Sequence, residues 1–197
     1  MPFHPHCHRS ARRFSKLQRV LTMAAATSTL SLSLLAAPPS DANAAGFSNL
    51  NAFHSGYNVA VREGSTSAGA QIIQWPADGG TEQEWQLLGG DVDYSYLFEN
   101  LNSGLCITTD GTPGDTLTQQ PCDSGHSGEE WEISDQVWGA WGFGAWGVAQ
   151  QLYNAPYGLC MDVYGDSTDP GAVLDAWSCK GINGTNQLFT SSLFAGM

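Results

Sequence analysis

Beyond its first forty-odd residues this sequence has almost no positive charge. Of its 7 Lys and Arg residues, Arg9, Arg12, Arg13, Lys16 and Arg19 lie within the first twenty positions. After Ala44 only Arg62 and Lys180 remain, against 18 acids, a net charge of −16. Such a surface repels phosphate backbones, which argues against nucleic acid as a partner, and it disfavours anionic membranes for the same reason. Spread acidic charge mainly confers solubility. Histidine is equally scarce: His54 and His126 are the only two past the first eight positions, too few for most metal sites. No Cys-x-x-Cys spacing points to zinc. Asp162, Asp166 and Asp169 lack the alternating oxygen positions and glycine of an EF-hand loop. No metal and no cofactor is implied, and no Gly-x-Ser-x-Gly elbow marks a hydrolase nucleophile.

Long apolar runs are also lacking, with one exception. Leu21 to Ala37 is apolar, small and uncharged, follows the basic start, and ends at Pro38 and Pro39. Ala42-Asn43-Ala44 then supplies the small-x-small pattern of a signal-peptidase site. The run is short and diluted by Ser and Thr, so it reads as a secretory signal peptide over residues 1–44 and not as an inserted membrane span. The Arg12-Arg13 pair hints at export of an already folded protein, and the route stays open. Past residue 44 four cysteines remain, Cys106, Cys122, Cys160 and Cys179. In an exported, extracellular domain these suggest two disulfides, with three connectivities possible.

What is present is short strands. "NVAV", "AQIIQW", "LCITT", "TLTQQ", "LCMDV" and "AVLDAW" alternate apolar and polar residues between Gly, Asn, Ser and Thr. No window sustains a 3.6-residue period, so residues 45–197 read as all-β. They also repeat. Gly56, "NVAV", a strand ending at Trp75 and "QEW" ending at Trp85 form one copy. Gly104, "CITT", "LTQQPC" and "EEW" ending at Trp131 form the second; Gly158, "CMDV", "VLDAWSC" and "NQLF" ending at Phe189 form the third. The glycine-to-aromatic distances are 29, 27 and 31 residues. Three such copies predict pseudo-threefold symmetry, with Trp85, Trp131 and Phe189 buried against one another, because one copy alone buries too little apolar surface.

The Gln-x-Trp ending, the Gly-x-Cys-x-Asp-Val strand and the Trp-x-Cys element resemble the ricin B-chain type of carbohydrate-binding β-trefoil, over roughly residues 47–189. The resemblance implies a β-trefoil of twelve short strands in three lobes, each lobe able to carry a sugar site. With the copies in register, Cys106 is expected to pair with Cys122 and Cys160 with Cys179, each bridge worth roughly 3 kcal/mol in the chain-entropy view. Asn58 and Ala77 leave the first copy without one.

The resemblance also implies the site residues. Asp162 would accept from a sugar hydroxyl, Trp177 would stack on the apolar face, and Asn186 would bond a hydroxyl. Gln187 would support Asp162 or the sugar. Asp175 stands where the family usually has a glutamine, and either supports the site or adds a charge that alters preference. The first copy keeps Trp75 but has Ala60, Ile73 and Glu82 at the other positions. The second has Thr108, Gln120 and Gly128-Glu129. Both read as structural. The segment "VWGAWGFGAWGV", Val137 to Val148, reads as an extra hairpin or as an aromatic patch for a glycan or partner subunit.

The sequence therefore reads as a secreted, non-enzymatic carbohydrate-binding lectin with one site in the third repeat, for galactose-type or pentose-type sugars. A small glycoside hydrolase and a trefoil inhibitor or interaction module are the alternatives. A hydrolase needs two carboxylates facing across the bond, about 5–10 Å apart, and no motif marks such a pair. Secreted material is expected to begin at Ala45; N-terminal sequencing checks this, and a product that retains Met1 to Ala44 contradicts the secretory reading.

Overall fold

The computed structural model of the 197-residue chain describes residues 46–138 and 148–194. The expected signal peptide, residues 1–44, and most of the Gly/Trp-rich segment, 139–147, lie outside the described residues. Thirteen strands are present among the described residues. The first repeat holds β1 (Ser48–Asn49), β2 (Asn51–Ala52), β3 (Asn58–Val61), β4 (Ile72–Trp75) and β5 (Glu84–Gly89). The second holds β6 (Ser95–Asn100), β7 (Leu105–Thr108), β8 (Thr118–Pro121) and β9 (Trp131–Trp138). The third holds β10 (Val148–Asn154), β11 (Leu159–Val163), β12 (Leu174–Ser178) and β13 (Leu188–Thr190). The expected twelve becomes thirteen because Leu50 interrupts one extended segment into β1 and β2.

Pairing runs β1-β5-β6-β9-β10-β13-β2. Since β1 and β2 are halves of one segment, the path returns to its start, as a barrel requires. The hairpins β3/β4, β7/β8 and β11/β12 complete the three lobes. Each hairpin is entered through a glycine at positive φ: Gly56 (+73°), Gly104 (+67°) and Gly158 (+70°). Their amides donate to Ala52, Asn100 and Asn154 carbonyls, all at 2.8 Å. An L side chain is disfavoured in that conformation, which is why glycine recurs there.

The lobes meet through equivalent bonds. The amide of Ile72 donates to the Leu117 carbonyl, and that of Leu117 to the Leu174 carbonyl. Gly69, Gly171 and Gly114 donate to the carbonyls of Gln119, Gln74 and Ala176 in the next lobe. The core repeats likewise: Leu50, Phe98 and Leu152, then Val59, Ile107 and Met161, then Trp85, Trp131 and Phe189 are fully buried. Trp85 Nε1 donates to the Val59 carbonyl at 2.9 Å and Trp131 Nε1 to that of Ile107 at 3.1 Å. Burying an indole requires such a partner.

Both disulfides form as expected, Cys106–Cys122 and Cys160–Cys179, consistent with an oxidising, extracellular setting. The flanks of the Gly/Trp-rich segment pair antiparallel, Trp138 opposite Val148 and Val137 opposite Ala149. Among the described residues no helix is long and apolar enough to cross a membrane. Trp131→Ala is expected to cost about 3–5 kcal/mol through the cavity it leaves, measured by urea unfolding. A loss below 1 kcal/mol contradicts its place in the core.

Candidate functional site

The third lobe brings the five sequence-predicted residues together. In the β11/β12 hairpin Asp162 is directly opposite Asp175, and Cys160 opposite Trp177. Residues two apart on a strand and residues directly opposite share a face, so both aspartates and the indole point the same way. Trp177 is 43% exposed, while Asp162 and Asp175 are each only 2% exposed. The Cys160–Cys179 bridge closes the strand two residues beyond the indole. Asn186 and Gln187 lie in the short turn Thr185–Gln187 just before β13, placed by the burial of Phe189.

Asp162 is the hub. Its Oδ1 accepts from Asn186 Nδ2 at 2.7 Å, and its Oδ2 from Gln187 Nε2 at 2.8 Å. Asn186 also donates to the Val163 carbonyl, and Gln187 to that of Ser178. Gln187 Oε1 in turn accepts the Lys180 backbone N–H at 2.7 Å. This last bond recurs in every lobe: Gln83 Oε1 accepts from Asp78 N, and Glu129 Oε2 from Asp123 N. It fixes the loop between the second hairpin strand and the closing aromatic.

Lys180 is the residue the sequence reading left without a role. Its ammonium lies 3.0 Å from Asp162 Oδ2, donates to Asn186 Oδ1 at 3.2 Å, and stands 3.7 Å from Asp166 Oδ1. It was detectable as one of two basic residues past Ala44, directly after Cys179. Burial raises the Asp162 carboxyl above the ordinary range, with Lys180 and Gln187 acting against the rise. Asp175 is pushed up to about 6, first by burial and then by the Asp162 charge. Its Oδ1 is buried with no hydrogen-bond partner.

The other lobes differ at the same positions. In the first, a cavity of about 460 Å³ is lined by Ala60, Arg62, Ile73, Trp75, Asp78 and Glu82. In the second, a cavity of about 680 Å³ is lined by residues including Thr108, Asp115, Gln120, Asp123, His126 and Glu129. Lobes read as purely structural thus retain open concavities, and where the third lobe has Lys180 they have the shorter Asp78 and Asp123. Among the described residues no group of three or more His, Cys, Asp or Glu side chains is arranged to hold a metal.

A family model described as ricin-type beta-trefoil lectin domain-like matches residues 39–111. The designed threefold-symmetric protein ThreeFoil is 29% identical, with 74% of this chain and 97% of that one covered and a TM-score of 0.63. An exo-β-1,3-galactanase from Clostridium thermocellum is 26% identical at a TM-score of 0.61, over 75% of this chain but only 30% of the enzyme. The C-half of an earthworm R-type lectin, solved with GalNAc, is 17% identical at 0.56, covering 74% of this chain and 97% of that one. The resemblance to ricin-type β-trefoil lectins holds. No curated protein matches the sequence.

In this β-trefoil the Asp175 carboxyl ionises with more difficulty folded than unfolded. Its raised value means the folded state holds the proton more tightly, so stability falls as pH rises from about 4 to about 6 and is level above. Asp175→Asn is expected to remove that fall. Its stability advantage over wild type should grow by about 1–3 kcal/mol between pH 4 and pH 7, measured by denaturant unfolding. A gap independent of pH contradicts the assignment.

Proposed function

We propose that this protein is a secreted, non-enzymatic carbohydrate-binding module whose sugar site lies in the third lobe. The observation that carries this is the convergence of a half-exposed indole with a carboxylate held by two amides on one face of the β11/β12 hairpin. A sugar presents an apolar C–H face and a rim of hydroxyls. Trp177 offers the plate, and Asp162 with the Asn186 Oδ1 offers acceptors side by side, both now held by Lys180. Lys180 stands where a ligand would enter and must shift or share its contacts. Galactose-type and pentose-type sugars are the candidate ligands, consistent with the GalNAc held by the earthworm relative.

Binding is favoured over hydrolysis by the carboxylates themselves. Glycosidases hold two carboxyl groups about 5–10 Å apart with the bond between them. Asp162 and Asp175 are directly opposed on adjacent strands and both are buried. Directly opposed side chains stand about 5 Å apart at Cβ, and with both carboxyls buried there is no room for a glycosidic bond between them.

Calorimetry with a monosaccharide should give one site per chain, with affinity near millimolar, about −4 kcal/mol. Trp177→Ala should abolish binding. Asp162→Ala should cost about 1.5–3 kcal/mol, and Trp75→Ala should leave binding intact. Loss of binding in Trp75→Ala with retention in Trp177→Ala would put the site in the wrong lobe, and reducing-sugar release from a polysaccharide would contradict the non-enzymatic reading.

A further inference from the structure

The cross-strand pair at the centre of each hairpin differs among the lobes. It is Ala60 opposite Ile73 in the first, Thr108 opposite Thr118 in the second, and Asp162 opposite Asp175 in the third. The fold is satisfied by an apolar pair or a hydroxyl pair. Two like charges directly opposite are destabilising, and burying them is costly without full compensation. Here compensation is incomplete: Asn186, Gln187 and Lys180 serve Asp162, whereas Asp175 Oδ1 is buried and has no partner. An ionised carboxylate only accepts, so the missing group is a donor.

The group that already sits on Asp162, one member of the pair, is an ammonium, that of Lys180, and it reaches in from a half-exposed side chain. Further charge surrounds it. Asp166, in a left-handed conformation (φ +54°) where the first lobe has Gly64, aims its carboxylate at the same ammonium. From the neighbouring lobe, Gly114 lies against the Trp177 ring, and Asp115, next in that loop, accepts the Ala176 amide through its carbonyl. Asp110 stands in the same loop as Asp115. The charged groups around Asp175 are therefore Asp162 on β11, Lys180 and Asp166 on the flanking loops, and Asp110 and Asp115 across the lobe boundary. All but one are acidic.

We propose that the third-lobe site selects amino sugars, whose free protonated amine displaces the Lys180 ammonium from Asp162 and supplies the donor that Asp175 lacks, while the ring stacks on Trp177. The proposal rests on the carbohydrate-binding reading above and specifies its ligand class. A neutral hydroxyl satisfies one lone pair and leaves the charge. An ammonium brings three donors and the opposite charge, and a sugar carries both onto an aromatic plate. Selectivity depends on Asp175 being ionised, so it should weaken as pH falls through about 6.

The test is calorimetry or ligand-observed NMR with galactosamine and glucosamine hydrochlorides, their N-acetyl counterparts, and galactose, at pH 7.0 and pH 4.5. The free amines are expected to bind at least about tenfold more tightly than the N-acetyl sugars at pH 7.0, and the ratio should shrink severalfold at pH 4.5. Asp175→Asn should bring the ratio close to one. Lys180→Gln, at a half-exposed position, should tighten amino-sugar binding by removing the internal competitor. Equal affinity for free and N-acetylated amines, or loss of amino-sugar binding in Lys180→Gln, overturns the proposal and leaves carbohydrate binding standing. Absence of binding to every sugar, neutral or cationic, overturns both.

Discussion

Three closing aromatics, Trp85, Trp131 and Phe189, must be buried, and no repeat has enough apolar surface to bury its own. The rest of the structure follows from that requirement. Their burial draws the three copies around a shared core with Leu50, Phe98 and Leu152 and with Val59, Ile107 and Met161. It also fixes the residue two places earlier in each copy, Gln83, Glu129 or Gln187, which is carried into the interior and there accepts a loop amide. In the third lobe that same residue donates to Asp162. The candidate site is thus held from beneath by the core, and its geometry inherits the rigidity of the barrel.

One frame supports three different floors because the central hairpin pair lies outside the shared apolar core cluster and is not needed for the fold. Exchanging Ala60/Ile73 for Thr108/Thr118 or Asp162/Asp175 changes the floor of the concavity and leaves the register unchanged. In the first two lobes the concavity stays open beside Asp78 and Asp123, which stand where the third has Lys180. In the third, Lys180 sits on the buried Asp162, and Trp177 remains exposed at 43% beside Gly114 of the neighbouring lobe. Negative charge is the common feature of these surfaces, as the composition requires, and it makes a cationic ligand electrostatically easier to accept than an anionic one.

The trefoil was legible because glycine and closing aromatic recur at nearly constant spacing, and each has a local physical reason: positive φ for the glycine, core volume for the aromatic. The disulfides were legible for the same reason, since the two cysteines of the second copy occupy the same places as the two of the third, and each pair closes within its own copy. The opening strands of the second and third repeats, Ser95–Asn100 and Val148–Asn154, were not marked out, because "SYLFEN" and "VAQQLYN" mix apolar and polar residues without clean alternation. The gathering of Asp162, Trp177, Asn186 and Gln187 followed from the family pattern. That Asp175 faces Asp162 depends on hairpin register across twelve residues, and the place of the Lys180 ammonium depends on a loop path. Neither leaves a periodic trace in sequence. The cavities in the first two lobes were missed because a missing side chain reads as a lost function, while in three dimensions it is space.

The most direct measurement is a ¹⁵N NMR titration of the protein with a monosaccharide, following indole and side-chain amide signals. The indole Nε1–H of Trp177 and the side-chain amide of Asn186 are expected to shift together and saturate with one dissociation constant, while the Trp75 indole stays in place. Shifts confined to Trp75 or to the second-lobe cavity, with Trp177 and Asn186 unmoved at saturating sugar, would contradict a binding site in the third lobe.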